Sequence, residues 1–384
     1  MSSFERQWQR WFPEDRGREP PPPAKSGWTT TRVMAILAGA LALFILISIV
    51  KGFYSEWLWF DTLGYSSVYA TILMTKVVVF FSGAIIFCLL FLGNLVLAMH
   101  LTPKTEAHFW PWAIMRQLQS ILRFNVILGT ALLSLIFGLV AQSNWEIILR
   151  FFNGQPFGIT DPVFHREVGF YVFSLPFLQL MKGWFLGALI VTLLGSAGVY
   201  LFSYTVQRLR FDLARRVLAH IGGLVMAILG LFAWGYWLGI WELVFSRWGV
   251  VFGASYADMH ARLPAQWILL AVVLIFMGII LVSVLRRNSR WPVYGIGGWI
   301  VVAIIVGGIY PALVQRFQVE PNELVREKPY IEYNIQFTRE AFALDRIEEQ
   351  LFPAEEMPAP QDIAQNEGTI NNIRLWDPRP LKNT

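Results

Sequence analysis

The sequence predicts an all-α, polytopic membrane protein: seven transmembrane helices with structured outer loops and a short mixed tail outside the membrane. Hydrophobic residues make up 55% of the 384 residues and charged residues only 15%, whereas soluble chains carry about 25% charged residues. The mean hydropathy is +0.50. Apolar runs of about 20 residues are long enough to cross a bilayer, and seven are present: 33–50, 77–99, 124–141, 184–206, 217–240, 265–285 and 291–314.

Basic residues alternate between the connectors, and this alternation predicts the orientation. The N-terminal arm and the second, fourth and sixth connectors carry sixteen Lys and Arg residues, whereas the first, third and fifth carry seven. Since basic flanks are retained in the cytoplasm, we expect a multi-pass plasma-membrane protein with a cytoplasmic N-terminus and an extracytoplasmic C-terminus. The predicted divisions are a partly disordered arm at 1–32, a transmembrane domain at 33–314 and an extracytoplasmic tail at 315–384, whose thirteen acids and eight bases agree with that orientation.

Residues 4–12 of the arm show helical spacing of aromatic residues with two arginines opposite. This pattern suits a short interfacial helix, and a disordered arm leading into the proline run at 20–23 is the alternative. The first apolar run has no cleavage pattern after it, so we expect a retained signal anchor.

The first connector, 51–73, contains seven aromatic side chains and only two acids, Glu56 and Asp61. Trp and Tyr collect at headgroup depth because one end of each ring is apolar and the other polar. The stretch is therefore predicted to be an interfacial loop whose acids contact water or cap the next turn.

The third connector, 142–183, combines an amphipathic stretch, NWEIILRFF, with an apolar run of 13 residues, VGFYVFSLPFLQL. A run of that length is too short to cross a bilayer. We therefore expect an interfacial or re-entrant segment capped by Pro176. The fifth connector has the same composition, so the outer loops are predicted to form a lid over the bundle.

The seven runs contain no Asp, Glu, Lys or Arg, and charged residues in spans usually mark ion pathways or proton relays. Their absence argues against ion-coupled transport. Asn94 is expected to form an interhelical hydrogen bond, and His220 to have a capping or interfacial role. The only cysteine, Cys88, lies within the second run, which leaves no partner for an intrachain disulfide.

No common catalytic, phosphate-binding or metal-binding signature occurs in the sequence, and the scattered basic residues do not form a nucleic-acid-binding motif. We therefore predict no cofactor and no nucleic-acid partner. The outer loops do hold acids and histidines that could form a metal or acid–base site if they converge, namely Asp161, His165, Glu167, Asp258 and His260. The alternative is that Asp161 and Asp258 are turn or helix-cap residues and the histidines are interfacial.

Five ordered blocks carry a resemblance to a known family: 58–73, 160–178, 252–265, 319–345 and 369–381. In these blocks the chain resembles an uncharacterised, UPF-type bacterial membrane protein family with seven N-terminal spans and a large extracytoplasmic C-terminal region. The resemblance implies this architecture and a cell-surface location, but no activity or substrate. Because family members continue far beyond the last block, the chain is expected to be a fragment or a truncated reading frame.

The tail contains an amphipathic pattern at 334–352 that predicts a helix with Phe337, Ala341, Leu344, Ile347 and Leu351 on one face. A proline-rich linker comes next, and about 70 residues are too few for a stable separate core. The tail is thus predicted to begin a larger domain.

These observations favour an integral membrane protein that anchors and displays an extracytoplasmic region for envelope interaction or assembly. Its expected partners are the lipid bilayer and envelope proteins. The alternative is a transporter or channel for a weakly polar or lipidic solute, which needs no charge inside the spans. A membrane-embedded enzyme using Asp161, His165, Asp258 and His260 is the third hypothesis.

Overall fold

The computed structural model describes residues 27–102, 112–206, 214–286, 290–351, 359–373 and 382. Within these ranges all regular elements are helical, and the only β-type pairing is an isolated bridge between Thr160 and Glu167. In the part of the chain that the structure describes, seven helices are long and apolar enough to cross a membrane. The prediction of an all-α, multi-span chain is confirmed. The predicted helix at 4–12 lies outside the described residues.

The longer helices keep the order of the predicted spans. They are α1 (Gly27–Thr62), α2 (Ser66–Leu101), α3 (Trp112–Ser143), the short α4 (Trp145–Phe152), α5 (Leu175–Val206), α6 (Arg215–Glu242), α7 (Leu263–Arg286), α8 (Arg290–Ile304), α9 (Tyr310–Val314) and α10 (Glu323–Ala341). Single π-helical turns precede α5, at Phe170–Ser174, and α7, at Asp258–Arg262. Two short helices, α11 (Pro360–Gln365) and α12 (Glu367–Ile370), lie in the tail.

The first connector is helical, so the prediction of a loop over 51–73 is wrong. Helix α1 continues to Thr62, and α2 begins at Ser66 after a turn in which Gly64 has φ 77°. No proline interrupts this stretch, so the helix extends beyond its apolar run. The aromatic rings of Phe53 and Phe60 pack on Tyr69, across the turn.

The main core joins α2, α3 and α5, and the start of α6 adds Val217. Helices α2 and α3 approach closely where glycines face each other. A Cβ placed on Gly138 would lie 2.9 Å from the backbone oxygen of Phe80. Small residues allow such backbone approach between membrane helices, which gain little from the hydrophobic effect in lipid.

In the third connector the predicted amphipathic helix is present, whereas the predicted re-entrant segment is not. The stretch NWEIILRFF forms α4, which packs on the core through Ile148. The apolar run around Pro176 is the first part of one helix that extends from Phe170 to Val206. Pro176 is the second residue of α5, which comes directly after the π-helical turn Phe170–Ser174. The departure from α-helical hydrogen bonding thus coincides with the proline, which has no backbone N–H to donate.

The chain divides into two compact units. The first draws on 1–161, 166–238 and 270–299 and contains both hydrophobic clusters of buried residues. The second draws on 162–165, 239–269 and 300–384, and in it α9 packs against the π-helical turn Asp258–Arg262.

Helical turns continue from α9 into α10, through a π-helical turn (Gln315–Val319) and a 3-10 turn (Glu320–Asn322), with a joint at Asn322 (φ −144°). The predicted helix at 334–352 is wrong in its second half, because α10 ends at Ala341 and the chain reverses at Ala343 (φ 54°). Leu344, Ile347 and Leu351 are exposed. A helix gains most of its stability from packing, which these side chains do not provide.

Candidate functional site

Asp161 stabilises a turn in the first unit. Its backbone N–H donates to the carbonyl oxygen of Arg166 at 2.8 Å, and its carboxylate accepts from the backbone N–H of Arg166 and the hydroxyl of Tyr171, both at 2.9 Å. The Asp161 side chain is buried. It connects the turn to the helix that begins at Phe170.

Glu167 closes the loop before this turn, because its carboxylate accepts from the backbone N–H of Phe157 at 2.6 Å. Gly169 is needed beside it, since a Cβ there would lie 2.6 Å from a Glu167 carboxylate oxygen. His165, in the second unit, has a left-handed backbone (φ 55°) and an exposed side chain.

Asp258 lies in the first turn of the helix that begins at Tyr256 and continues into α7. Its carboxylate accepts from the backbone N–H and the hydroxyl of Ser255, at 3.1 and 2.7 Å, and the Ser255 hydroxyl accepts from the Asp258 N–H at 3.2 Å. This reciprocal pair is a capping box, which satisfies amide groups that have no intrahelical acceptor. Asp258 is fully buried and also forms an ion pair with Arg262 at 2.8 Å. These are the contacts of a helix-cap residue, which the sequence offered as the alternative to a metal or acid–base role for Asp258.

A second carboxylate reaches the same helix start from α10. Both oxygens of Glu327 lie 3.2 Å from the backbone nitrogen of Tyr256, which donates to them. The Glu327 side chain is 1% exposed. A buried carboxylate is stabilised at this position because the first N–H groups of a helix carry partial positive charge.

Two further hydrogen bonds hold α10 against the loop before Asp258. The Arg326 guanidinium donates to the Tyr256 hydroxyl at 2.9 Å, and the Asn334 amide donates to the carbonyl oxygen of Phe252 at 2.8 Å. Together with Glu327 they form what we call the α10 clamp: Arg326, Glu327 and Asn334 on Phe252–Tyr256. Sequence reasoning missed this clamp because its two sides are 70 or more residues apart in the chain.

His260 stacks on Tyr256, with ring centroids 3.9 Å apart, and its Nδ1 lies 3.0 Å from the Tyr256 carbonyl oxygen. A carbonyl oxygen only accepts, so Nδ1 carries the hydrogen in this contact. Beside the stack lies an open cavity of about 340 Å³, lined by Tyr256, His260, Asn322, Val325, Arg326, Pro329 and Tyr330. The His260 ring thus supports the clamp while one edge of it borders solvent.

Within the described ranges, no three His, Cys, Asp or Glu side chains come close enough together to hold a metal ion. Asp161 belongs to the first unit, while His165, Asp258 and His260 belong to the second. The hypothesis that these four residues form a metal or acid–base site remains a prediction.

A separate polar cluster lies inside the first unit, among α2, α5 and α6. His220 Nε2 is 3.0 Å from the Asn94 side-chain oxygen, and its Nδ1 is 2.8 Å from the Tyr200 hydroxyl. Since the Asn94 amide nitrogen donates to the Leu90 carbonyl oxygen, its oxygen is the acceptor for His220. The expected interhelical hydrogen bond of Asn94 is present, and its partner is His220.

Comparison with known proteins supplies a family but no activity. A model of an uncharacterised protein family, UPF0182, matches residues 33–384. A UPF0182 protein of Desulforamulus reducens is 38% identical over 378 residues, covering 91% of this chain and 40% of its own length. One of Pelotomaculum thermopropionicum is 35% identical over 367 residues, with the same two coverages. No solved structure matches the chain.

The chain therefore spans about two fifths of the length of the curated relatives that it matches. The matched part of each relative corresponds to the spans and to the helices after them. Their printed names state no ligand, reaction or partner.

Proposed function

The chain belongs to the uncharacterised UPF0182 family, and we propose that it is a membrane anchor whose last span continues as a stalk. The stalk is the helical segment from α9 through α10. It displays an extracytoplasmic region for interaction or assembly in the cell envelope.

The observation that carries this proposal is the α10 clamp. Helix α10 comes after the last apolar run, and its mean hydropathy is low, with Glu, Arg, Lys and Asn along it. Since most of the stability of a helix comes from tertiary packing, a polar helix in water keeps a fixed position only where tertiary contacts hold it. The buried Glu327 carboxylate and the bonds from Arg326 and Asn334 supply those contacts.

The clamp also explains how a membrane domain could orient the region beyond its last span. Tyr256 and Phe252 precede the span on α7, and α10 comes after the span on α8 and α9. Because the clamp joins the outer ends of two spans, the direction of α10 is set by the second unit rather than by a flexible linker. A rigid stalk suits display, since it fixes the distance between the bilayer and the displayed region.

Composition supports the same function. The apolar runs lack Asp, Glu, Lys and Arg, and the acidic tail comes after the predicted outward crossing. The greater length of the relatives offers a region to be displayed. These features suit an anchor better than an ion-coupled transporter.

The proposal is tested by locating the stalk relative to the membrane. A reporter that is active only outside the cytoplasm is fused after Thr384, with matched fusions at the α1–α2 turn, after Leu63, and in the α5–α6 connector, after Arg210. We expect activity after Leu63 and Thr384 but not after Arg210. An inactive Thr384 fusion beside an active Leu63 fusion would exclude display outside the cell.

A further inference from the structure

The first unit contains a cavity of about 390 Å³ at the end of the bundle where α2 ends, α3 begins and α5 ends. Its polar lining includes His100, Gln119, Arg123 and Ser203, and its apolar lining includes Met99 and Phe202. This volume lies within the usual range for small-ligand pockets. The cavity is separate from the α10 clamp, which belongs to the second unit.

Among the described residues that line the cavity, the charge is positive. Arg123 lines it, and helices α2, α3 and α5 contain no Asp or Glu anywhere along their length. The Arg123 guanidinium forms no ion pair with another residue in the described ranges, whereas Arg262 and Arg339 both have carboxylate partners. Arginine presents a planar set of donors that binds a phosphate through two oxygens.

The rest of the lining is amphipathic. Gln119 and Ser203 can donate or accept hydrogen bonds, while Met99, Leu122 and Phe202 present apolar surface to the same space. Val96, which also lines the cavity, is 38% exposed, so the apolar side of the lining reaches the outer surface of α2. A ligand with a phosphate at one end and hydrocarbon at the other would match both surfaces.

From this arrangement we propose that the cavity binds the phosphate headgroup of an anionic phospholipid, with the acyl chains along the exposed face of α2 at Val96. Basic pockets between spans are known sites for such headgroups. A zwitterionic lipid would bring an ammonium group, and the three helices offer no carboxylate to receive it. The ligand class is therefore an anionic lipid rather than phosphatidylcholine.

The test measures lipid retention on the purified full chain in mild detergent by native mass spectrometry, with phosphatidylglycerol and phosphatidylcholine as probes. Because a hydrogen bond to a charged group contributes about 1.5–3 kcal/mol, Arg123→Gln should weaken phosphatidylglycerol binding about tenfold or more. Phosphatidylcholine binding should be unchanged, and Arg123→Lys should retain part of the affinity. Arg216→Gln is the matched control, since it removes an exposed charge at the same end of the bundle, outside the cavity lining.

A second variant, Leu122→Trp, fills the apolar side of the cavity without altering charge and should also weaken phosphatidylglycerol binding. Equal losses for Arg123→Gln and Arg216→Gln, or equal affinity for the two lipids, would overturn the proposal. Inorganic phosphate is added as a competitor in the millimolar range. If it displaced the lipid fully, the cavity would be a site for soluble anions, and the lipid assignment would be wrong.

Discussion

The contribution of Glu327 to the stability of the α10 clamp can be measured directly. Its carboxylate connects α10 to Tyr256, at the start of the helix that continues into α7. Replacing it by alanine leaves the Tyr256 N–H without its acceptor at a buried position. A hydrogen bond to a charged group contributes about 1.5–3 kcal/mol, and a carboxylate near a helix N-terminus about 0.3–1 kcal/mol. Together they predict that Glu327→Ala destabilises the clamp by about 2–4 kcal/mol.

Hydrogen–deuterium exchange of the protein in nanodiscs can measure this loss locally. Exchange of α10 amides reports the opening of the clamp when this opening requires less free energy than global unfolding. A loss of about 2–4 kcal/mol corresponds to roughly 30- to 700-fold faster exchange across 323–341. Glu327→Gln keeps an acceptor oxygen and loses the charge, so we expect an effect of about 1 kcal/mol, or roughly fivefold.

Glu332→Ala is the matched control on the same helix. The Glu332 side chain is 63% exposed, and its nearest cation, Lys328, lies 3.8 Å away. Exposed pairs of this kind contribute less than about 1 kcal/mol. If Glu327→Ala exchanged no faster than Glu332→Ala, the clamp would not fix α10. If it exchanged more slowly, the desolvation of the buried carboxylate would exceed what its hydrogen bonds return.

Two further predictions concern stability, both measured by thermal unfolding in detergent. Gly138→Ala should destabilise the α2–α3 contact by about 1–3 kcal/mol, because the new Cβ would lie 2.9 Å from the Phe80 backbone oxygen. Gly129→Ala on the same helix meets open space and should be neutral or stabilising, so equal effects of the two would contradict the packing argument. Asp258→Asn should cost about 1–3 kcal/mol, because it removes the charge from an ion pair whose Asp258 side is buried and whose Arg262 side is 23% exposed. Glu146→Gln, which breaks an exposed pair with Arg150, should cost less than about 1 kcal/mol, and a similar loss for both would count against the role of Asp258.

The number of membrane-spanning helices could be predicted from hydropathy, but their ends could not. A hydropathy window detects the residues at bilayer depth, whereas a helix continues as long as backbone hydrogen bonds and packing support it. Helix α1 therefore extends through polar residues to Thr62, and the helix containing Pro176 begins six residues before it, at Phe170. The same reason explains why the polar stalk is helical directly after the last apolar run.

Local contacts were readable from the sequence, and distant ones were not. Ser255 and Asp258 have the spacing of a capping box, which predicts the role that the structure gives Asp258. Glu327 has no such local signal, because its partner Tyr256 is 71 residues away in the chain. Likewise, the hydrogen bond of Asn94 could be expected from burial of an amide, but His220, 126 residues away, could not be named.

The contacts of the acids also bear on the choice between an anchor and a catalyst. Asp161 already accepts hydrogen bonds from Arg166 and Tyr171, and Asp258 from Ser255 and Arg262. These bonds occupy part of the acceptor capacity of each carboxylate, and a ligand that displaced one of them would leave a polar partner unsatisfied. The same bonds hold a turn in one case and a helix start in the other. Since the helix start is where α10 is clamped, the contacts of Asp258 are those expected of the stalk that we propose.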